Sequence, residues 1–277
     1  MKQYKPTPLS RRMQQVADYS SLSKREPFKP LTRSWKRGIG RSHGKISSRH
    51  KGGGVKKLYR EIEFGQAKMN VPAKVVSIEY DPFRTSFIAL VSYRDGDWRY
   101  ILAPSDLKVG KEIVCAESAP LEIGNRLMLK NIPVGSSVHN VETMPMTEGR
   151  LIRSAGSYAE VLAQDGKHTH LRMPSSEVRK VINTGYASYG RLSNVEHGIV
   201  SIGIAGRNRR KGIRPTVRGT AMNPVDHPYG GGEGRTQRGT KRPKTKWGKV
   251  TGGHKTRVKT KYSNDLIIKR RVKKKRK

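Results

Sequence analysis

The chain has 277 residues, in which 58 Lys plus Arg face 21 Asp plus Glu, a formal net charge of +37 at neutral pH. A surplus of this size repels itself in any compact state, so it implies a polyanionic partner, nucleic acid foremost, and it excludes most soluble enzymes. With 34% hydrophobic residues, the chain can furnish one or two small cores but not one core of its full length.

The charge is unevenly spread. Residues 1–60 carry 17 basic and 2 acidic side chains, residues 61–200 carry 16 of each, and residues 201–277 carry 25 and 3. A neutral middle has the composition of folded domains, and the ends have that of basic arms. The expected organisation is a basic extension over 1–60, a small barrel over 61–125, a second over 126–200, and a basic Gly/Pro-rich extension over 201–277.

In chain order, the stretch Gly40 to Gly54 mixes Arg41, Lys45, Arg49, His50 and Lys51 with glycine and closes on Gly52-Gly53-Gly54. Cationic side chains meet phosphate oxygens while glycine lets backbone amides close in, so Arg49, His50 and Lys51 are candidate RNA-phosphate contacts. Ala73 to Ile78, Thr85 to Tyr93 and Trp98 to Leu102 are rich in strand formers, and Asp95-Gly96 marks a hairpin turn between the last two. The Gly/Pro-marked segment Pro120 to Pro133 divides the middle into two blocks. Beyond it, Val161 to Ala163 and His168 to Met173 flank a second turn at Asp165-Gly166, and Glu177 to Ile182 alternates as a further strand. Helix signals are few, so the expected fold class is all-β, two tandem small barrels with long irregular extensions. The last segment sets Arg207, Arg209, Arg210, Arg214, Arg218 and Arg235 among glycine and proline, places His227 in Asp226-His227-Pro228, and ends in the basic run Lys269 to Lys277. Such segments bury too little apolar surface to order alone and are expected to order on their partner.

Templates for catalysis and nucleotide binding fail. There is no G-x-x-x-x-G-K-[ST], no H-E-x-x-H and no G-x-S-x-G, and Gly38-Ile39-Gly40-Arg41-Ser42-His43 lacks the last glycine of the dinucleotide pattern. The single cysteine, Cys115, allows no internal disulfide and no Cys-containing zinc finger, which points to a reducing compartment. His168 and His170 share one face of a strand but lack a third ligand nearby, so neither metal nor cofactor is expected. The longest apolar runs, such as Phe87 to Val91, fall far short of the roughly 18 residues of a membrane span. Met1 to Ser10 has no apolar stretch of a secretory signal, and an intracellular protein without a membrane partner is expected.

The stretch Gly206 to Arg235 closely resembles the universal large-subunit ribosomal protein number two family, in its bacterial or organellar form. Matching stretches run through most of the chain: Lys5-Pro6-Thr7, Arg49-His50-Lys51-Gly52-Gly53-Gly54 with Tyr59-Arg60, Ile78-Glu79-Tyr80-Asp81-Pro82 with Arg84, and Ile132-Pro133-Val134-Gly135 with His139-Asn140. They continue through Arg153-Ser154-Ala155-Gly156, Pro174-Ser175 with Glu177-Val178-Arg179, and Gly190-Arg191 with Asn194-Val195-Glu196-His197. The resemblance implies an OB-like barrel followed by an SH3-like barrel, both extensions buried in ribosomal RNA, and RNA-contacting roles for Lys68, Arg84 and Arg153. It also implies that the Asp226-His227-Pro228 loop reaches toward the peptidyl-transferase region, where His227 packs and hydrogen-bonds in folded RNA rather than acting as a general base. Where the family usually has a second histidine this chain has Tyr229, which weakens any two-histidine mechanism and leaves a ring able to stack on a base.

The expected function is that of a structural constituent of the large ribosomal subunit, in a bacterial cytoplasmic or an organellar ribosome, present in one copy. Its expected partners are large-subunit ribosomal RNA and neighbouring ribosomal proteins, with the small subunit and tRNA engaged indirectly. The arms replace counterions while the neutral barrels fix position and orientation. Two rivals are a DNA-compacting protein, which would show no preference for structured RNA, and a catalytic contributor to peptide-bond formation through His227.

Overall fold

Strand-forming segments separated by glycine turns assemble into two main antiparallel sheets. The computed structural model describes residues 1–23, 26–35, 40–234, 236–253 and 255–271. The described residues of 1–36, 56–204 and 262–277 form one compact unit, and those of 37–55 and 205–261 form another.

In the first unit, the first sheet has four strands in the order Glu112–Ile113, Ala73–Glu79, Ile88–Tyr93, Trp98–Leu102, each antiparallel to its neighbour. The hairpin between the last two pairs Ser92 with Trp98 and turns through Gly96 at φ 85°, a conformation that a Cβ would oppose. The central strand is buried on both faces. Ala89 and Val91 pack with Val75, Ile101 and Leu107 on one side, while Ile88 and Leu90 pack with Tyr100 under Phe28, Leu31 and Ile62 on the other. Double coverage explains why this strand reads as a near-continuous apolar run rather than an alternating one. The basic leading segment thus supplies two core side chains, Phe28 and Leu31. They are fixed by Tyr100, whose hydroxyl accepts from the Phe28 N–H at 2.9 Å and donates to the buried Glu79 carboxylate at 2.9 Å.

The second sheet has seven strands in the order Arg126–Met128, Tyr186–Tyr189, Ser137–His139, Ala159–Asp165, His168–Arg172, Val178–Ile182, Ile267–Lys269. Its core gathers Leu127, Leu129, Ile132, Val138, Val161, Leu171 and Val181, each fully buried side chain of this size contributing about 1.5–3 kcal/mol. Register shifts at Val75/Ser77 in the first sheet and Val161/Ala163 in the second are bulges, which sharpen strand bending. The fold class is all-β with barrel domains, as the strand and turn pattern led us to expect. Two features lay outside that pattern: Arg126–Met128, inside the dividing segment, is a sheet strand, and Ile267–Lys269 from the basic terminal stretch closes the sheet edge against Val178–Ile182.

Inside the second barrel lies a buried ion pair. Arg126 Nη2 donates to Glu142 Oε1 at 2.8 Å with side chains 0% and 4% exposed. Its Nη1 donates to the Asn140 carbonyl at 2.8 Å and the Ser188 hydroxyl at 3.3 Å, and Glu142 Oε2 accepts from the Tyr186 N–H at 3.2 Å. With both charges out of water, removal of either partner is expected to cost about 3–5 kcal/mol, because the other is left unpaired. The two barrels join through Ser193, whose N–H donates to the Ala103 carbonyl at 3.2 Å and whose hydroxyl accepts from the Phe87 N–H at 3.1 Å.

His139 makes this barrel sensitive to acid. Its ring is buried, with Nδ1 2.9 Å from the Gly190 carbonyl, and burial pushes its pKa down to about 4. Between that value and the ordinary 6.5 the unfolded state binds the extra proton, so the contribution of His139 is fully present above about pH 6.5 and is lost as pH falls toward 4. The expected swing is on the order of 3 kcal/mol. Native-state hydrogen exchange in the strands Ser137–His139 and Tyr186–Tyr189, corrected for intrinsic rates, should weaken over that window in the parent and much less in His139→Gln.

Candidate nucleic-acid interface

The second unit is held together where two basic motifs meet backbone to backbone. The Gly52 N–H donates to the Gly212 carbonyl at 3.0 Å, the Arg214 N–H to the His50 carbonyl at 3.0 Å, and the Val55 N–H to the Arg210 carbonyl at 2.9 Å. Lys51 pairs with Ile213 as an antiparallel bridge. Gly53 and Gly54 take φ of 62° and 95°, the left-handed region that glycine enters without strain. A Cβ on Gly52 would stand 3.3 Å from Arg214 Cδ. The triple glycine thus supplies the backbone turn on which the first motif meets the second.

This junction brings together six of the candidate RNA-contacting residues: Arg49, His50, Lys51, Arg209, Arg210 and Arg214. The short helix Ala205–Arg210 carries Arg207 three residues from Arg210, hence on the same side. Arg49, Lys51, Arg210 and Arg214 are exposed, and Arg49 lies over the Trp247 ring at 5.3 Å. Arg209 differs: its Nη1 is shielded from solvent and meets no acceptor among the described residues. A buried guanidinium N–H without an acceptor carries a desolvation cost.

Arg218 and His227 belong to a different part of this unit. Arg218 lines an open cleft of about 690 Å³ with Arg238, Lys241 and the threonines Thr220, Thr236 and Thr240. His227 sits in a tight loop in which the Asp226 N–H donates to Asn223, the Gly230 N–H to His227 and the Gly231 N–H to Met222, at 2.9, 2.9 and 3.2 Å. Its Nδ1 accepts the Tyr229 N–H at 3.1 Å, and its ring covers Gly219 so closely that a Cβ there would be 2.5 Å away. Among the described residues no carboxylate or hydroxyl hydrogen-bonds to this imidazole. Arg235 lies outside the described residues, as does the end of the basic tail from residue 272.

In the first unit, Arg84 and Arg153 converge on one ring. Their guanidinium carbons lie 5.7 and 4.4 Å from the Phe64 centroid. Arg84 is half-buried and held by the buried Asp81 carboxylate at 2.5 Å, the Tyr59 hydroxyl at 3.0 Å and the Arg60 carbonyl at 3.3 Å. Arg153 is exposed and has no carboxylate partner among the described residues. Phe64 itself is anchored by Asn140, whose Nδ2 donates to the Phe64 carbonyl at 2.8 Å. Lys68 is elsewhere: it pairs with Asp95 and, at 2.9 Å, with Asp97 beside the hairpin turn. The hydrogen bond to Asp95 raises the lysine pKa, and the one from Lys68 lowers that of Asp97 to about 2. Its charge is thus largely answered within the protein. Among the described residues no group of three or more His, Cys, Asp or Glu could hold a metal ion.

Residues 28–115 match the family described as Ribosomal Proteins L2, RNA binding N-terminal domain, and residues 122–248 match Ribosomal Proteins L2, C-terminal domain. The chain belongs to the ribosomal protein L2 family. It is accordingly a structural protein of the large ribosomal subunit that binds RNA, with ribosomal RNA and ribosomal proteins as partners and a ribosome of the cytoplasm or an organelle as its place. The residues that sequence reading did not single out are the aromatic partners of the cations: Phe64 under Arg84 and Arg153, and Trp247 under Arg49. Aromatic residues close to basic runs are the signal that could have found them.

The glycine contacts of the His227 loop are directly testable. A Cβ at Gly230 would lie 2.3 Å from the Asn223 carbonyl carbon and oxygen, whereas at Gly219 it meets only the His227 ring, which can shift. Gly230→Ala is expected to destabilise the loop by about 1–3 kcal/mol and Gly219→Ala by less. Limited proteolysis between residues 222 and 231 should be faster in the first variant than in the second.

Proposed function

We propose that this protein binds large-subunit ribosomal RNA through the junction of residues 49–55 with 205–214, and thereby stabilises RNA near the peptidyl-transferase centre in support of subunit association and tRNA binding. The observation that carries the reading is the backbone pairing that gathers Arg49, His50, Lys51, Arg209, Arg210 and Arg214. Such a concentration of cations replaces the counterions condensed on RNA phosphates, and the release of those counterions drives binding. Arg207 and Arg218 extend the basic surface, Arg153 adds an exposed guanidinium over the Phe64 ring, and Arg235 is a further proposed contact on its sequence context alone. Arg84 and Lys68 make smaller contributions to affinity, because Asp81 and the pair Asp95 and Asp97 already neutralise them.

The location near the peptidyl-transferase centre rests on the family likeness of the Asp226-His227-Pro228 loop. We assign His227 a packing role rather than participation in peptidyl transfer. Its Nδ1 is taken by a backbone amide and its ring by Gly219, so it lacks the oriented partner that a general base acting on a nucleophile requires. One copy per ribosome, engaging the small subunit and tRNA through RNA, completes the proposal.

The salt dependence of binding tests it. Each phosphate contact contributes roughly 0.7 to 0.9 to the slope of log affinity against log salt, so loss of three contacts removes about 2. The variant Arg207→Gln/Arg209→Gln/Arg210→Gln should show that reduction on large-subunit RNA, and Lys68→Gln a change smaller than a single arginine gives. An unchanged slope in the triple variant would move the RNA-binding surface away from this junction.

A further inference from the structure

A cluster of three aromatic rings stands outside both apolar cores. Trp35 stacks on Tyr59 with centroids 5.4 Å apart and planes at 29°, and Phe83 closes the triangle edge-on at 5.6 Å from Trp35 and 5.4 Å from Tyr59. None of the three packs into the clusters that form the barrel cores. The strand pairing explains the arrangement: Thr32–Ser34 runs antiparallel to Leu58–Arg60 with Arg33 opposite Tyr59, and Trp35, two residues beyond Arg33, follows on the same side.

The surroundings of these rings are cationic. Arg33 lies over the Tyr59 ring at 4.9 Å, Arg84 over the same ring at 5.1 Å, and Lys57 over Phe83 at 5.7 Å. Asp81 answers Arg84, and Glu61 offsets Arg33 through a loose contact of 3.5 Å. Trp35 remains 48% exposed, although an indole left in water forgoes a large part of the burial such a side chain can supply. A half-exposed indole held by two further rings and flanked by cations combines the two elements of single-stranded nucleic-acid recognition, a π-face for the base and positive charge for the backbone beside it.

We propose that Trp35, supported by Tyr59 and Phe83, is a stacking platform for one unpaired nucleobase of RNA, with Arg33 and Lys57 meeting the adjoining phosphates. The inference rests on the reading that the chain binds RNA, and adds to it a base-dependent contact apart from the junction that supplies charge. A protein occupant would use the same rings differently, because it would bring no phosphate to the cations.

The test compares the full chain with Trp35→Leu and Trp35→Tyr on two probes, a single-stranded oligoribonucleotide of about ten nucleotides and an abasic oligomer of the same length and charge. The platform predicts that Trp35→Leu weakens binding of the base-bearing oligomer about tenfold, leaves the abasic oligomer unchanged, and that Trp35→Tyr retains most of the affinity. Equal losses on both oligomers, or no loss on either, would overturn the platform while leaving RNA binding in place. Failure of the parent chain to bind either oligomer would instead bring down the RNA-binding reading and the platform with it.

Discussion

Close approach of two backbones is the constraint on which the basic part of this protein depends. Cations repel one another, so gathering Arg49, Lys51, Arg210 and Arg214 within one unit requires an attraction that does not come from their side chains. Backbone hydrogen bonds from Gly52, Val55 and Arg214 supply it, and the positive φ of Gly52, Gly53 and Gly54 lets the chain take the path on which they form. The same logic governs the His227 loop, where Gly219 and Gly230 leave room for the imidazole and for the Asn223 carbonyl. Glycine here is a packing residue in the sense that what it lacks determines what can lie beside it.

In the barrels, several charges are answered internally. Arg126 with Glu142, Arg84 with Asp81, and Lys68 with Asp95 and Asp97 are closed pairs. The first lies in a core where neither member can turn to water. Such pairs contribute little to attraction for a polyanion and instead hold strands in register. Arg153 and the Trp35 cluster stand on the folded barrel unit and present cations that lie against aromatic faces.

Much of this was legible in the sequence. The strand-turn-strand patterns around Asp95-Gly96 and Asp165-Gly166 gave the sheets their hairpins, because φ > 0 at glycine and period-two alternation are local properties. The segregation of charge pointed to a nucleic-acid partner, and the motif from Gly206 onward to the family. Long-range pairing was not legible. Nothing in residues 49–55 announces residues 210–214 as their neighbour, and Ile267–Lys269, surrounded by lysine and arginine, gives no local sign that it completes a sheet. Arg126 and Glu142 counted as two more charges in a balanced middle. Their burial depends on strands brought together across the chain, which composition does not record. Phe64, Trp35 and Phe83 escaped notice for the same reason, since an aromatic residue's neighbours decide whether it serves a core or a surface.

The central claim is that the charge-bearing contact with RNA is made by the glycine-linked junction rather than by the two main sheets. Hydrogen exchange of the full chain, free and bound to large-subunit RNA, addresses it directly, because backbone amides report each segment separately. The account predicts added protection in residues 49–55 and 205–214, with exchange in the strands Ile88–Tyr93 and Ala159–Asp165 unchanged. Protection that grows in those strands while the junction stays as it was would contradict it.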